Sequence, residues 1–350
     1  MNKKLFFAAF ATATLTACAA TAGPNYKVKV SFPDDSNDDA MAYFINFDSG
    51  EKVDSAIVTE GVALFQGNID APAMARLSVD GGRGPMFILE SAEMTLDAST
   101  GNVTGGALND RLQAIGAEMD SIVKKFQQLP QDSLYASRSA ELEKAYNAIP
   151  AKAFSENTDN PIGLYFFLQE AYGMDLPTLE AQLKKYPALA KSVRVGKLKE
   201  SLVNKAATGV GAMFKDFTIS YEGKDTKLSD YVGKGKYTLV DFWASWCGPC
   251  MREIETLKKI YAEYHDKGLD ILGVAVWDEP QATLAAMEQK QIPWPVIINA
   301  QTIPTDLYGI SGIPCIILFD PQGKIVSRDK QGQDLVADVA KAMESKTNEE

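Results

Sequence analysis

Residues 241–250 read Asp-Phe-Trp-Ala-Ser-Trp-Cys-Gly-Pro-Cys, and this stretch constrains the chain most tightly. Cys247 and Cys250 stand three apart, directly behind an apolar run and ahead of a helical pattern that reaches about His265. A cysteine at a helix N-terminus meets unpaired backbone N–H groups and the positive end of the macrodipole, and both favour thiolate. A second cysteine one turn on can close a disulfide with the first, which is the geometry of a dithiol/disulfide exchange centre. The surrounding text is α/β. Strands are predicted at 237–243, 270–276, 296–298, 315–319 and 324–328, with helices over 281–289 and from Leu335. Strands that read as continuous apolar runs are buried on both faces, so a central sheet covered by helices on both sides is expected.

The other cysteines sharpen this. The chain has four, namely Cys18, Cys247, Cys250 and Cys315. Lys3 and Lys4 precede a short apolar run, Leu5 to Thr14, and then Leu15-Thr16-Ala17-Cys18. The run is too short to span a bilayer and has the form of a secretory leader. Leu-Thr-Ala-Cys resembles the lipobox of bacterial lipoproteins, which implies cleavage after residue 17 and a lipid on Cys18. Ala19 and Ala20 carry no acidic sorting cue, which favours a lipid-anchored protein on the periplasmic face of the outer membrane. Only the pair and Cys315 then remain, too few for a disulfide-stapled scaffold. A tetrahedral zinc site needs four ligands, and one CxxC with the single histidine, His265, does not supply them. No metal or cofactor is expected, and redox chemistry of the pair is. A net charge of −11 argues against nucleic acid, since phosphates must be neutralised by cations.

Two further regions follow residues 18–25, a short tether. Residues 26–107 carry short alternating runs broken by turns, such as Tyr26-Lys27-Val28-Lys29-Val30, Ala63-Leu64-Phe65, Arg76–Val79, Met86–Leu89 and Met94-Thr95-Leu96. These predict a small β-sandwich-like domain. The cluster Asp34, Asp35, Asp38, Asp39 lacks the glycine and closing glutamate of a calcium loop and reads as a solvated turn. Residues 108–208 turn helical. Leu108, Leu112, Ile115, Met119, Ile122, Phe126 and Leu129 form an apolar seam that Pro130 stops, and further helices are predicted over 140–148, 161–172, 176–185 and 188–205.

Residues 211–346 resemble thioredoxin, and more closely the membrane-tethered thioredoxin-like reductases of bacterial envelopes. The likeness rests on Asp241, Trp243, the Trp-Cys-Gly-Pro-Cys string, Glu253, Gly312-Ile313-Pro314 ahead of a strand, and Gly332 beyond it. The upstream half resembles the N-terminal domains of unknown function that precede such modules in Bacteroidetes envelope proteins. The resemblance implies a thioredoxin fold over 211–346 and a thiol–disulfide oxidoreductase. Cys247 is then the exposed nucleophile that attacks a partner disulfide, and Cys250, more buried, resolves the mixed disulfide. Asp241 and Glu253 are the candidate proton acceptors for Cys250. Pro314 matches the cis-proline facing the disulfide, and Ile313 offers its backbone to an extended substrate. Trp246, Gly248, Pro249 and Gly332 complete the substrate-binding set. Gly-Pro between the cysteines is the pair of thioredoxin itself, whose potential is about −270 mV, and it favours a reductant. The implied partners are disulfide-bearing envelope proteins and a membrane-borne electron donor, and cytochrome c maturation is one task that relatives perform.

Cys315 departs from the threonine common at its position and reads as a small buried strand residue, or else as a thiol that modulates Cys247. A peroxidase on the same fold is disfavoured, because peroxiredoxins carry threonine three before an isolated cysteine and Ala244 stands there. A third reading is an envelope binding protein whose N-terminal domain captures a ligand while the redox module is auxiliary.

Overall fold

The computed structural model of the chain describes residues 23–347, so the leader, Cys18 and most of the tether lie outside the described residues. The chain divides into two compact units between Phe167 and Leu168. The helical stretch over 108–208 is therefore shared between the two.

The first unit begins with eight strands: β1 (Tyr26–Ser31), β2 (Met41–Asn46), β3 (Lys52–Ile57), β4 (Val62–Gly67), β5 (Ala73–Val79), β6 (Met86–Leu89), β7 (Glu93–Asp97) and β8 (Val103–Thr104). They form two four-stranded sheets, β4-β1-β7-β8 and β3-β2-β5-β6. Alternation explains the layering. Tyr26, Val28 and Val30 are buried while Lys27 and Lys29 face solvent, as the period of a pleated strand requires. Both sheets send such residues into one core, where Phe44 stacks on Phe65 at 3.7 Å and meets Phe87 edge-on at 4.8 Å. Fully burying a side chain of this kind contributes about 1.5–3 kcal/mol. Strand β3 escapes the sequence reading because it has no buried position to mark its period, and β2, although Ala42 and Phe44 are buried, is also missed.

The opposite face of the second sheet presents Met74 and Ile88 to helices α1 (Ala107–Gln127), α2 (Tyr135–Ser155) and α3 (Pro161–Ala171). Helix α2 is far longer than its predicted core because it tolerates Pro150 in its interior. The acidic cluster acts as a turn: the Asp38 carboxylate accepts N–H bonds from Glu60 and Gly61 at 2.9 and 2.8 Å.

The second unit contains α4 (Leu176–Lys185), α5 (Val193–Ala207), a hairpin of β9 (Thr218–Tyr221) and β10 (Lys224–Lys227), and then the α/β core. That core comprises β11 (Tyr237–Trp243), α6 (Gly248–Tyr264), β12 (Leu269–Ala275), α7 (Pro280–Lys290), β13 (Val296–Ile297), α8 (Ile303–Tyr308), β14 (Cys315–Phe319), β15 (Ile325–Arg328) and α9 (Gly332–Thr347). The sheet order is β13-β12-β11-β14-β15. β12 runs parallel to β11 and β14 antiparallel to it, so the sheet is mixed, and this is the thioredoxin fold. Side-chain parity sorts the core into two clusters. Val240 and Phe242 join one with Tyr308 and Phe319; Leu239 and Trp243 join the other with Ile254 and Leu257 of α6 and Leu335 and Val339 of α9. Helix α9 starts at Gly332, three residues before the predicted Leu335, because the apolar pattern begins only after its polar first turn.

Candidate active site

Strand β11 carries the site. Its pleat places Asp241 on the same face as Leu239 and Trp243, the face that α6 and α9 cover. An acid thus occupies a core position. Asp241 is 2% exposed, and its Oδ1 has no hydrogen-bond partner. Burial first, and the Glu253 charge second, push its carboxyl from the ordinary 3.8 up to about 8.

The chain then turns through Ala244, Ser245 and Trp246 into α6. Cys247 is the N-cap residue, and its Sγ accepts the backbone N–H of Cys250 at 3.2 Å. Pro249 sits in the first turn, where a missing N–H costs nothing. A side chain added at Gly248 would meet only Arg252 Nη1, at 3.8 Å, so the backbone between the cysteines stands open. Cys247 and Cys250 are joined in a disulfide. The exposed nucleophile expected from sequence needs correction: Cys247 is 4% exposed and Cys250 wholly buried. The reason is packing, since Trp243, Ala244 and Ile254, with half-buried Ile313, share their cluster.

Opposite the pair, the Ile313–Pro314 peptide is cis, and the Ile313 carbonyl oxygen lies 3.8 Å from Cys247 Sγ. Trp246 is 62% exposed, yet it is held in place: its Nε1–H donates to the Trp277 carbonyl at 2.9 Å. Glu253, one turn beyond Cys250, is buried, and its Oε1 accepts the Gly332 N–H at 2.8 Å. A carboxylate there satisfies an orphan N–H at the start of α9 and lies at the favourable end of its dipole. Gly332 adopts φ +56° and spends its N–H on Glu253, while Gln331 Nε2 donates to the Pro314 carbonyl at 3.3 Å. The redox pair, its two carboxylates and the proline loop therefore converge from β11, α6, β14 and α9.

Cys315 opens β14, directly after Pro314. Its thiol is buried and donates to Asp329 Oδ1 at 3.2 Å. Burial, then the Asp329 charge, raise its pKa far above the ordinary thiol value, which leaves it a poor nucleophile in this state. His265 lies past the end of α6 and stacks on Tyr261, away from the cysteine end of that helix.

Sequence reasoning missed Asp278. This buried residue follows β12, and its carboxylate accepts from Ser245 N (2.7 Å), Ser245 Oγ (2.8 Å), Glu279 N (3.0 Å) and Thr283 Oγ1 (2.8 Å). It ties the turn before Cys247 to the start of α7. The available signal was an acid at the end of an apolar run just ahead of Glu279-Pro280, a helix start. Among the described residues no group of three or more His, Cys, Asp or Glu is placed to hold a metal ion.

Residues 210–328 match the AhpC/TSA family, and residues 26–112 match a domain of unknown function (DUF4369). Among solved structures, the thioredoxin domain of a thiol-disulfide oxidoreductase from Bacteroides vulgatus is 36% identical, with 38% of this chain and 96% of that one covered and a TM-score of 0.35. A thiol:disulfide interchange protein from Bacteroides sp. is 34% identical over 39% of this chain and 92% of that one, with a TM-score of 0.35. The thiol-disulfide oxidoreductase ResA of Geobacillus thermodenitrificans is 34% identical over 122 residues, which make up 35% of this chain and 69% of that protein. On that likeness, and with a disulfide-bonded Cys247–Cys250 pair heading α6 of a thioredoxin fold, the chain belongs to the thiol-disulfide oxidoreductase family of ResA.

Proposed function

We propose that this protein is a protein-disulfide reductase of the cell envelope, and the observation that carries the reading is the Cys247 N-cap facing the Ile313 carbonyl, with Asp241 buried beneath. In the reduced enzyme the Cys247 thiolate attacks one sulfur of a partner disulfide. An S–S bond forms to the partner, and the partner's other sulfur leaves as a thiolate that takes up a proton. Cys250 then gives its proton to the ionised Asp241 carboxylate and attacks Cys247 Sγ. The partner departs with both thiols, and the enzyme is left as the Cys247–Cys250 disulfide. Two electrons have moved to the partner, whose two thiolates take their protons from protonated Asp241 and from solvent, so a donor must reduce the pair again, and in an oxidising compartment that donor is membrane-borne.

The backbone at Gly248 and the Ile313–Pro314 segment offer an open edge for an extended chain, with Trp246 beside it. The predicted leader and lipidated Cys18 support an anchored envelope location. Cytochrome c maturation is the narrower task that fits a reductant placed there. A peroxidase is a weaker reading, because Cys247 is bonded to a neighbour one turn away and Ala244 stands where peroxiredoxins place threonine.

Cys250→Ala provides the test. Without the resolving thiol, Cys247 holds partners as mixed disulfides that survive non-reducing electrophoresis and vanish with dithiothreitol. If the variant expressed in the envelope traps nothing, and the parent does not reduce insulin, the reductase assignment fails.

A further inference from the structure

Helix α5 precedes the region that matches the AhpC/TSA family, yet it belongs to the same compact unit and reaches both ends of the loop that carries Ile313 and Pro314. On the near side, α8 ends at Gly309, which adopts φ +60°. A Cβ there would lie 2.1 Å from the Ser201 carbonyl oxygen and 2.5 Å from Lys205 N, so the backbone of α5 rests directly on this glycine. Asn204 Nδ2 donates to the Asp306 carbonyl at 3.0 Å.

On the far side, Lys205 Nζ pairs with Asp329 Oδ2 at 3.0 Å, and Asp329 Oδ1 accepts the Cys315 thiol. The Asp329 N–H also donates to the Ile316 carbonyl at 3.0 Å. Arg328, with only 6% of its side chain exposed, closes the arrangement by donating to Thr208 O (2.8 Å), Thr208 Oγ1 (2.6 Å) and Tyr308 O (2.6 Å). Asp329 holds φ +61°, a conformation that costs a residue with a side chain free energy unless its surroundings fix it. Its carboxylate is shared by Lys205 and Cys315, and Arg328 Nε also lies 3.5 Å from Oδ1.

The loop from Ile310 to Pro314 is thus strung between two posts, Gly309 and the Cys315–Asp329 contact, and both posts are seated on α5. We propose that α5 is a positioning element of the dithiol site, with Lys205 as its positioning residue. Through Asp329 and Cys315, Lys205 fixes the Ile313 carbonyl that faces Cys247, and so fixes the edge on which a partner's extended segment is held. The proposal rests on the reductase reading for its substrate and on geometry for the rest.

Lys205→Met in the full chain tests it. The Lys205 side chain is half exposed, so the fold tolerates the change, which intact tryptophan fluorescence verifies. An ion pair of this exposure shifts an equilibrium by a factor of about 2 to 5. We expect KM for insulin to rise by about that factor with kcat unchanged. Alkylation of Cys315 by iodoacetamide in the oxidised protein, read from the mass of the peptide that contains it, should rise in parallel. Lys205→Arg, which keeps the charge, should restore both. The proposal is overturned if Lys205→Met changes neither KM nor Cys315 alkylation, or if kcat falls while KM holds. If the parent protein does not reduce insulin at all, the reductase reading fails, and Cys315 alkylation by itself decides the role of α5.

Discussion

Asp241→Asn replaces a carboxyl that is costly to ionise with a neutral side chain of the same shape. In the folded protein Asp241 titrates near 8, and in the unfolded chain near 3.8. The native state therefore holds a proton that the unfolded chain has released at neutral pH. The sign follows: this group's contribution to stability is whole below about pH 3.8 and is lost as the pH rises through 8. Each pH unit between those limits costs about 1.4 kcal/mol, so the parent protein should lose about 3 kcal/mol between pH 5 and pH 7 from this residue. Asp241→Asn removes that slope. Any constant penalty from the new amide, whose N–H₂ must find partners in a buried site, cancels in the comparison across pH.

The assay is urea denaturation of both proteins, oxidised, at pH 5, 6, 7 and 8. Tryptophan fluorescence suits it because all four tryptophans, Trp243, Trp246, Trp277 and Trp294, lie in the second unit. On the proposed mechanism the same titration governs catalysis: Cys250 gives its proton to an ionised Asp241, so the resolving step should quicken as pH approaches 8. Asp241→Asn should be slower by about 10²-fold and flat with pH. Parallel stability curves for the two proteins would refute the burial argument, and matching pH–rate profiles would refute the proton transfer.

Two further predictions concern residues that hold the site from outside. Asp278→Ala strands the half-buried Ser245 N–H and hydroxyl and the buried Thr283 hydroxyl, so the second unit should lose about 1–3 kcal/mol by urea denaturation. Thiol titration of Cys247 should shift as well, because the turn ahead of it comes loose; an unchanged thiol pKa would show that Asp278 serves folding alone. Gly309→Ala places a Cβ against the backbone of α5 at a left-handed residue, and a loss of about 2–3 kcal/mol is expected. A loss below about 0.5 kcal/mol would mean that α5 can yield.

Much of the fold was legible because its signals are local. The alternation of β1, the continuous apolar runs of β11, β12 and β14, and the cysteines placed at a helix start each announce themselves within ten residues. The strand β3 and the short helix α8 do not. β3 has no buried position, and α8 is only six residues long, with its Tyr308 packed against Phe217 and Phe242, both distant in sequence. The site divides in the same way. Asp241 betrayed itself as an acid in an apolar strand, and Cys247 and Cys250 by their spacing. Asp278 and Asp329 look like ordinary acids near chain turns.

The sequence by itself determined the chemistry: a redox pair at a helix start, an acid in the strand beneath it, and a proline ahead of another strand. Those assignments rest on residue type and spacing along one segment, which the chain states outright. Tertiary structure alone decided how deeply the pair is buried, that Glu253 accepts from the first N–H of α9, that Asp241 Oδ1 lacks a partner while burial pushes the carboxyl up to about 8, and that the backbone of α5 lies against Gly309. Each of these depends on desolvation and on contacts between residues about 80 to more than 100 positions apart, as between Glu253 and Gly332 or Thr208 and Arg328. Burial and partnership are properties of the packed chain, and no window of sequence contains them.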